Sequence, residues 1–293
     1  MSLELDPLAK AQAEGESQDR LWYATGVLLD AKDFLDEQTY HRGRLARALA
    51  YLYGSGTVAG LRVVWEPAVG PGADVSLPDG RPERIKVEPG LAIDRLGRLV
   101  ELPRTACLRL NRWYEAQSDD DLAQGFHGAP FNGVVVDVFL TFVACERGKT
   151  PAFAAGPYDA LDPVVPSRIR DGYAVALVIR KEADPPVPVN QWPDLSGVAD
   201  PSERADRMRQ AVFGAWREGT QWRELDGKLA PMLEHAAGQD TTAVLLARLV
   251  VPATQASSAA RPQRTEDAPV LVDNNIRPIV FNAGRWAGEE RHV

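Results

Sequence analysis

The segment 30–53 constrains the fold of this chain more than any other part of the sequence. Its acidic residues fall in the first half and its arginines in the second half, an order that complements the helix macrodipole. Gly54 and Gly56 follow, and glycine commonly terminates a helix. The pattern predicts one charged helix from about Asp30 to about Tyr53. Positions at helical spacing come near one face of it: Phe34, Gln38, Leu45, Leu49 and Leu52.

Segments with β-type patterns follow the helix. Residues 84–88 alternate between polar and apolar, and residues 91–93 and 98–102 flank a tight turn, which predicts a β-hairpin. Residues 133–145 are dense in valine and phenylalanine and predict a buried strand. Further strands are predicted at 61–65, 107–110, 169–181 and 244–251, and a hairpin-like pair at 269–281. A helix is predicted at 201–218, a second helix or an irregular turn region at 222–236, and an irregular acidic stretch at 111–132.

Proline and glycine content suggests how the chain is divided. Proline-rich stretches read as linkers or exposed loops because proline cannot donate a backbone hydrogen bond. The predicted class is α+β and β-dominated, with an N-terminal helix packed on a β-core and a smaller C-terminal region of mixed helix and strand. The predicted regions are an N-terminal arm (1–22), a helix plus β-core domain (23–183), a proline-rich linker (184–201) and a C-terminal helical and β region (202–293).

Charge and hydrophobicity limit the classes of partner. The chain carries 41 acidic against 33 basic residues, a net charge of −8, which argues against nucleic acid as a partner. No apolar run approaches the roughly 18 residues that span a membrane. The N-terminal residues are acidic and lack the apolar core of a signal peptide, so we expect synthesis in the cytoplasm.

The cysteines do not suggest a disulfide framework or a zinc site. The sequence has two, Cys107 and Cys145, and no C-x-x-C pair. Both lie beside apolar runs, which favours buried free thiols, although a bridge between them stays open as an alternative.

The search for catalytic residues yields one weak candidate cluster. Asp33, Glu37 and His41 recur every four residues on one helical face, where they could hold a metal or transfer a proton. A solvated face with intrahelical pairs is the favoured interpretation, because one helix supplies these ligands in poor geometry. Neither H-x-x-x-H nor G-x-S-x-G occurs, and the glycines at 54–56 follow a helix instead of opening one. We therefore predict no catalytic residue, no metal ligand, no cofactor and no enzymatic activity.

A series of motifs runs through the first part of the chain in a fixed order. The helix carries D-F-x-x-E-Q-x-Y at 33–40, its exit carries L-x-G-x-G-x-V-x-G-L-x-V at 52–63, and the hairpin carries V-x-P-G-x-A-x-D-x-x-G-R-x-V at 87–100. A-C-E at 144–146 and P-S-R-I-R at 166–170 follow. In these motifs the chain resembles a family of proteins encoded with phage-tail-like contractile injection systems.

The resemblance implies a function in assembly. It implies a structural subunit in the baseplate, spike or tail-end region of such a particle, acting through contacts with other particle subunits and with copies of itself. The sequence leaves an alternative of another class open. That alternative is a stand-alone hydrolase or carbohydrate-binding protein that uses the loops 67–82 and 147–166.

The charged helix is the predicted interface. Its acidic first half and basic second half would allow head-to-tail pairing with a neighbour, which provides register more than affinity. Tyrosines add amphipathic area of the kind that interfaces favour. The open alternative is that the helix covers its own β-core and keeps its charges in water. The predicted interface residues are Tyr40, Arg44, Arg47, Tyr51 and Tyr53.

Overall fold

The structure of the protein, a computed structural model, describes residues 19–151, 164–189, 195–221, 229–265 and 268–280. Within these ranges strands outweigh helices, which confirms the predicted β-dominated α+β class. The helices are α1 (Ala31–Tyr53), α2 (Leu110–Glu115), α3 (Asp119–Gln124) and α4 (Pro201–Gln221). The strands are β1 (Gly56–Gly60), β2 (Val63–Glu66), β3 (Arg84–Val87), β4 (Gly90–Ile93), β5 (Leu99–Leu102), β6 (Ala106–Arg109), β7 (Phe126–His127), β8 (Gly133–Pro151), β9 (Val164–Ile179), β10 (Val244–Thr254), β11 (Gln263–Arg264) and β12 (Leu271–Asp273).

The bounds of α1 follow from its end residues. The Asp30 side chain accepts hydrogen bonds from the backbone N–H groups of Lys32 and Asp33, and the Asp33 side chain accepts one from the Asp30 N–H at 2.8 Å. This capping box satisfies N–H groups that the first helical turn leaves without partners. Gly54 ends the helix with φ near 70°. The predicted helix at 30–53 is therefore confirmed.

Two three-stranded sheets follow α1 in the chain. One has the order β1–β4–β5 and the other β2–β3–β6, and all their pairs are antiparallel. The predicted hairpin at 91–102 is the β4–β5 pair. The start of the strand predicted at 61–65 was wrong, since β2 begins at Val63. Residues 61 and 62 connect β1 to β2, which belong to different sheets. The chain changes sheet at Leu61, a buried residue with φ near 57°.

The third sheet is built around β8. It pairs with β10 on one side, and with β7 and β9 on the other, while β11 and β12 pair with β10. Because β10 comes after the predicted linker 184–201, residues on both sides of that linker share one sheet and one hydrophobic core. That core includes Val136, Val138 and Leu140 from β8 and Leu246 and Leu249 from β10.

Several local predictions need correction. The stretch 111–132 contains α2, α3 and β7, so it is more regular than its acidic composition indicated. The pair at 269–281 is not a hairpin, since β12 pairs with β10 and Ile279 bridges to Thr57. Of the two alternatives for 222–236, the described residues 229–236 agree with the irregular turn region and are not helical. Residues 1–18 of the predicted arm, 190–194 of the linker and 222–228 of the predicted second helix or irregular turn region lie outside the described residues.

The segment 147–166 is the largest correction. Its proline and glycine content favoured a loop, yet β8 continues to Pro151 and β9 begins at Val164, and the two strands pair with each other over this length. The intervening residues 152–163 lie outside the described part. A β-ribbon therefore replaces both described ends, 147–151 and 164–166, of one loop on which the alternative function depended.

Candidate interaction surface

Helix α1 packs on the β-core through its smallest side chains. Gly43 and Ala46 are the buried residues of the helix, and the Ala46 backbone lies against the β4–β5 turn at Gly97. The large apolar residues instead point away from the core: Phe34 is 51% exposed, Leu45 56% and Leu52 67%. The predicted apolar face of α1 is thus a surface of the folded chain.

The segment that precedes α1 adds more exposed apolar side chains. Trp22, Val27 and Leu28 are all exposed, and Leu28 is 96% exposed. Tyr23 ties this segment to α1 because its hydroxyl donates a hydrogen bond to the Glu37 carboxylate. That bond, followed by burial and the negative charges of Glu37 and Asp33, raises the pKa of Tyr23. Concentrations of exposed apolar side chains of this kind mark contact sites.

The predicted interface residues divide into two groups. Tyr40, Arg44, Arg47 and Tyr51 follow the spacing that places residues on one side of a helix. Arg44 is exposed and the other three are half-buried. Tyr53 is exposed, but it comes two residues after Tyr51, so it points to a different side. The structure thus places four of the five predicted residues on one side of α1. That they contact a partner stays a prediction.

The weak metal candidate has structural partners. Asp33 completes the capping box, and Glu37 accepts the hydrogen bond from Tyr23. His41 Nε2 lies 4.0 Å from Glu37 Oε1, with the histidine side chain mostly exposed. Across the described residues, no group of three His, Cys, Asp or Glu side chains could hold a metal ion. The structure thus accounts for these side chains by helix capping and local pairing.

A fully buried carboxylate lies at the centre of the large sheet. Asp137 on β8 faces Arg248 on β10, with Arg248 Nε 2.7 Å from Asp137 Oδ1, and Arg180 lies 3.4 Å from its other oxygen. Burial raises the pKa of Asp137, and the two arginines oppose that shift. Arg248 also donates to the carbonyl oxygens of Pro185 and Pro186. The carboxylate is closed to solvent, so the cluster anchors the proline-rich segment to the sheet and offers no site for a substrate.

A second buried ion pair joins elements that are distant in the chain. The Glu83 carboxylate accepts from Trp65 Nε1 at 2.5 Å and from the Arg264 guanidinium, which also donates to Asn111. The arrangement connects β2, the start of β3, α2 and β11. Sequence analysis missed both clusters. The first cluster had one signal, a charged residue inside an apolar run at Asp137 and at Arg248, whereas Glu83 and Arg264 lie in polar stretches that give no such signal.

The alternative function would require a binding pocket. A depression of about 420 Å³ is lined by residues that include Phe126, His127, Phe131 and Lys181. Lys181 pairs with Asp121 at 2.6 Å, and His127 Nε2 lies 3.2 Å from the Arg180 carbonyl oxygen. Among the described residues that line it, no nucleophile is hydrogen-bonded to a base. The geometry therefore gives this depression no hydrolytic arrangement.

Loop 67–82, the other part of the alternative, is organised by local contacts. The Asp74 carboxylate accepts from the Ser76 hydroxyl at 2.7 Å and from the Ser76 N–H at 2.8 Å. These bonds lower the pKa of Asp74. They form a turn in which the side chain of Val75 is exposed.

Comparison with known protein families finds no family that matches this chain, and comparison with curated proteins finds no match. Among the helices that the structure describes, none is long and apolar enough to cross a membrane.

Proposed function

We propose that this protein is a structural subunit of a phage-tail-like contractile injection particle, placed in its baseplate, spike or tail-end region. It is synthesised in the cytoplasm and acts by assembling with other particle subunits and with copies of itself. The motifs in residues 33–170 support this proposal, and so do the exposed apolar side chains of α1.

The observation that carries the proposal is the orientation of α1. Phe34, Leu45 and Leu52 remain exposed while Gly43 and Ala46 make the contact with the core. Full burial of a large apolar side chain is worth about 1.5–3 kcal/mol, so covering these half-exposed residues in an interface would contribute about 1 kcal/mol each. A folded domain gains nothing from exposing this face, whereas an assembly subunit gains a contact.

The charges of α1 add register to such a contact. Arg44 is exposed, and Arg47 is half-buried on the same side of the helix. In the first half, Lys32 pairs with Asp36 at 2.7 Å, and the remaining acidic residues leave this end net negative. An arginine-bearing second half beside an apolar stripe can align one neighbour and repel a misaligned one.

The first test is composition of the particle. Particles sedimented from producing cells are analysed by mass spectrometry for this chain together with sheath and tube proteins. We expect the chain to co-sediment at a fixed ratio to those proteins. A chain that is absent from purified particles, and monomeric when isolated, would contradict the proposal.

A second test separates assembly from folding. The variant Arg44→Glu with Arg47→Glu is compared with a matched reversal of exposed arginines outside α1, Arg62→Glu with Arg104→Glu. We expect the α1 variant to be lost from particles at an unchanged melting temperature, and the matched variant to be incorporated normally. Equal incorporation of both variants would assign the α1 arginines to a solvated face.

A further inference from the structure

The strands β8 and β9 extend well beyond the sheet to which they belong. The last residue of β8 that pairs with β10 is Leu140, opposite Val244, whereas the pairing of β8 with β9 continues to Pro151 opposite Val164. We call residues 145–151 and 164–170 the β8–β9 arm. Where its side chains are described, at 145–150 and 166–170, all are exposed. A two-stranded ribbon is marginally stable in water, so an arm of this kind benefits from a partner surface.

The register of the arm places its cations on one face. Cys145 lies opposite Arg170, Arg147 opposite Arg168, and Lys149 opposite Pro166. Directly opposed residues share a face, and every second residue along a strand returns to that face. We call Arg147, Lys149, Arg168 and Arg170 the basic face of the arm. The other face carries Glu146 opposite Ile169.

The basic face brings like charges into direct opposition. In the part of the chain that the structure describes, none of its cations makes an ion pair. Arg147 directly opposes Arg168, and like charges in that position destabilise a strand pair. This concentration of positive charge stands out in a chain with a net charge of −8. An anionic partner would remove the repulsion.

An acidic surface of the same chain begins beside the base of the arm. Asp171 lies 3.7 Å from Arg42, in the middle of α1. The first half of α1 carries Asp30 and Asp36, both exposed, and although Asp36 pairs with Lys32 at 2.7 Å, Asp33 and Glu37 leave this half with more acidic than basic residues. Cations two residues apart on a strand are about 6.7 Å apart, close to the 5–6 Å between neighbouring positions on a helix surface. The spacing allows opposite charges to align between the arm of one copy and the helix of another.

We propose that the basic face of the β8–β9 arm binds the acidic first half of α1 on a second copy of this chain. A two-fold axis makes the contact reciprocal, because each copy supplies one arm and one helix. The inference does not depend on the proposed particle, since the contact forms between copies of the purified chain. It uses the first half of α1, whereas the particle variants alter Arg44 and Arg47 in the second half.

The test is self-association of the full chain, measured by sedimentation equilibrium over a range of concentrations. We expect a dimer that weakens between 50 and 500 mM salt, because the contact is ionic. The variant Arg147→Glu with Arg168→Glu should raise the dissociation constant at least tenfold. The matched variant Arg62→Glu with Arg104→Glu, which reverses exposed arginines elsewhere, should leave it within about twofold.

A charge swap identifies the partner surface. Asp30→Asn with Asp36→Lys reverses the acidic surface while asparagine preserves the helix cap. We expect each variant alone to be monomeric and an equimolar mixture of the α1 and arm variants to dimerise. A wild-type chain that stays monomeric at every concentration overturns the proposal. A dimer that the arm variant does not weaken also overturns it. So does a result in which the wild type binds a DNA duplex and the arm variant loses that binding but dimerises normally.

Discussion

Gly97 lies so close to the carbonyl oxygen of Ala46 that a Cβ atom at position 97 would stand 1.8 Å from it. Through this contact α1 packs directly against the β4–β5 turn. Asp94 shapes the turn, since its carboxylate accepts from the Leu96 and Arg98 N–H groups and from Arg98 Nε at 2.6 Å. The Arg98 guanidinium lies 4.5 Å from the ring centre of Phe142 on β8. The position of α1 is therefore connected through this turn to the large sheet.

Gly97→Ala should weaken the packing of α1 against the β4–β5 turn. We expect it to lower the free energy of unfolding by about 1–3 kcal/mol more than Gly72→Ala, because an added methyl group must displace the helix. Gly72 is a matched control with a similar φ of 75° and no atom within 4 Å of an added Cβ. Urea unfolding measures both variants. Equal losses would show that only backbone strain matters at position 97.

Asp137→Ala should be strongly destabilising. Removing the carboxylate takes the buried anion away from Arg248 and Arg180, although Arg180 keeps its pair with Glu182, and breaking a buried ion pair typically costs about 3–5 kcal/mol. Asp121→Ala is the control, since it removes the exposed pair with Lys181 and should change stability little. Thermal and urea unfolding of both variants provide the comparison, and a small effect at position 137 would contradict the anchoring role of the cluster.

Glu66 should stabilise the fold in a pH-dependent way. The Arg84 guanidinium, 2.6 Å away, holds the pKa of Glu66 below its ordinary value of 4.5, and Lys86 and Arg81 add to the effect. A folded pKa below the unfolded one means stability that is complete above pH 4.5 and is lost as pH falls through the folded value. The stability difference between wild type and Glu66→Gln should therefore shrink on acidification below pH 4.5. Glu101→Gln, at an exposed position of β5, is the same substitution outside this cluster and is measured in parallel.

Both cysteines should react in the native state. Sequence analysis favoured buried thiols, but Cys107 and Cys145 are free and exposed. We expect both thiols of each chain to titrate with a thiol reagent before and after unfolding in urea. A thiol that reacts only after unfolding would contradict the exposure of that position. Cys107→Ser and Cys145→Ser assign the reacting groups.

Local signals in the sequence predicted the elements whose hydrogen bonds close within a few residues. Asp30 begins α1 because its side chain accepts hydrogen bonds from N–H groups of the first turn. Gly54 ends the helix because glycine readily adopts a positive φ. The turn at 94–97 is likewise local, since Asp94 bonds to residues two and four positions further on. These features needed no knowledge of distant parts of the chain.

Periodicity also placed most of the interface candidates, but not their surroundings. Spacing puts Tyr40, Arg44, Arg47 and Tyr51 on one side of α1 and Phe34 and Leu45 on another. It does not decide which side meets the core. Backbone contact at Gly97 favours small residues on the buried side, and that contact depends on a hairpin that follows in the chain.

The sequence by itself determined α1 with its ends and its amphipathic faces, and the β4–β5 hairpin with its turn, because these depend on interactions over a few residues. The tertiary structure decided that β10 lies beside β8, that Asp137 meets Arg248, and that a segment with the composition of a loop forms the β8–β9 arm. Strand pairing satisfies backbone groups with partners from anywhere in the chain. The fold as a whole therefore selects these partners, and local composition cannot.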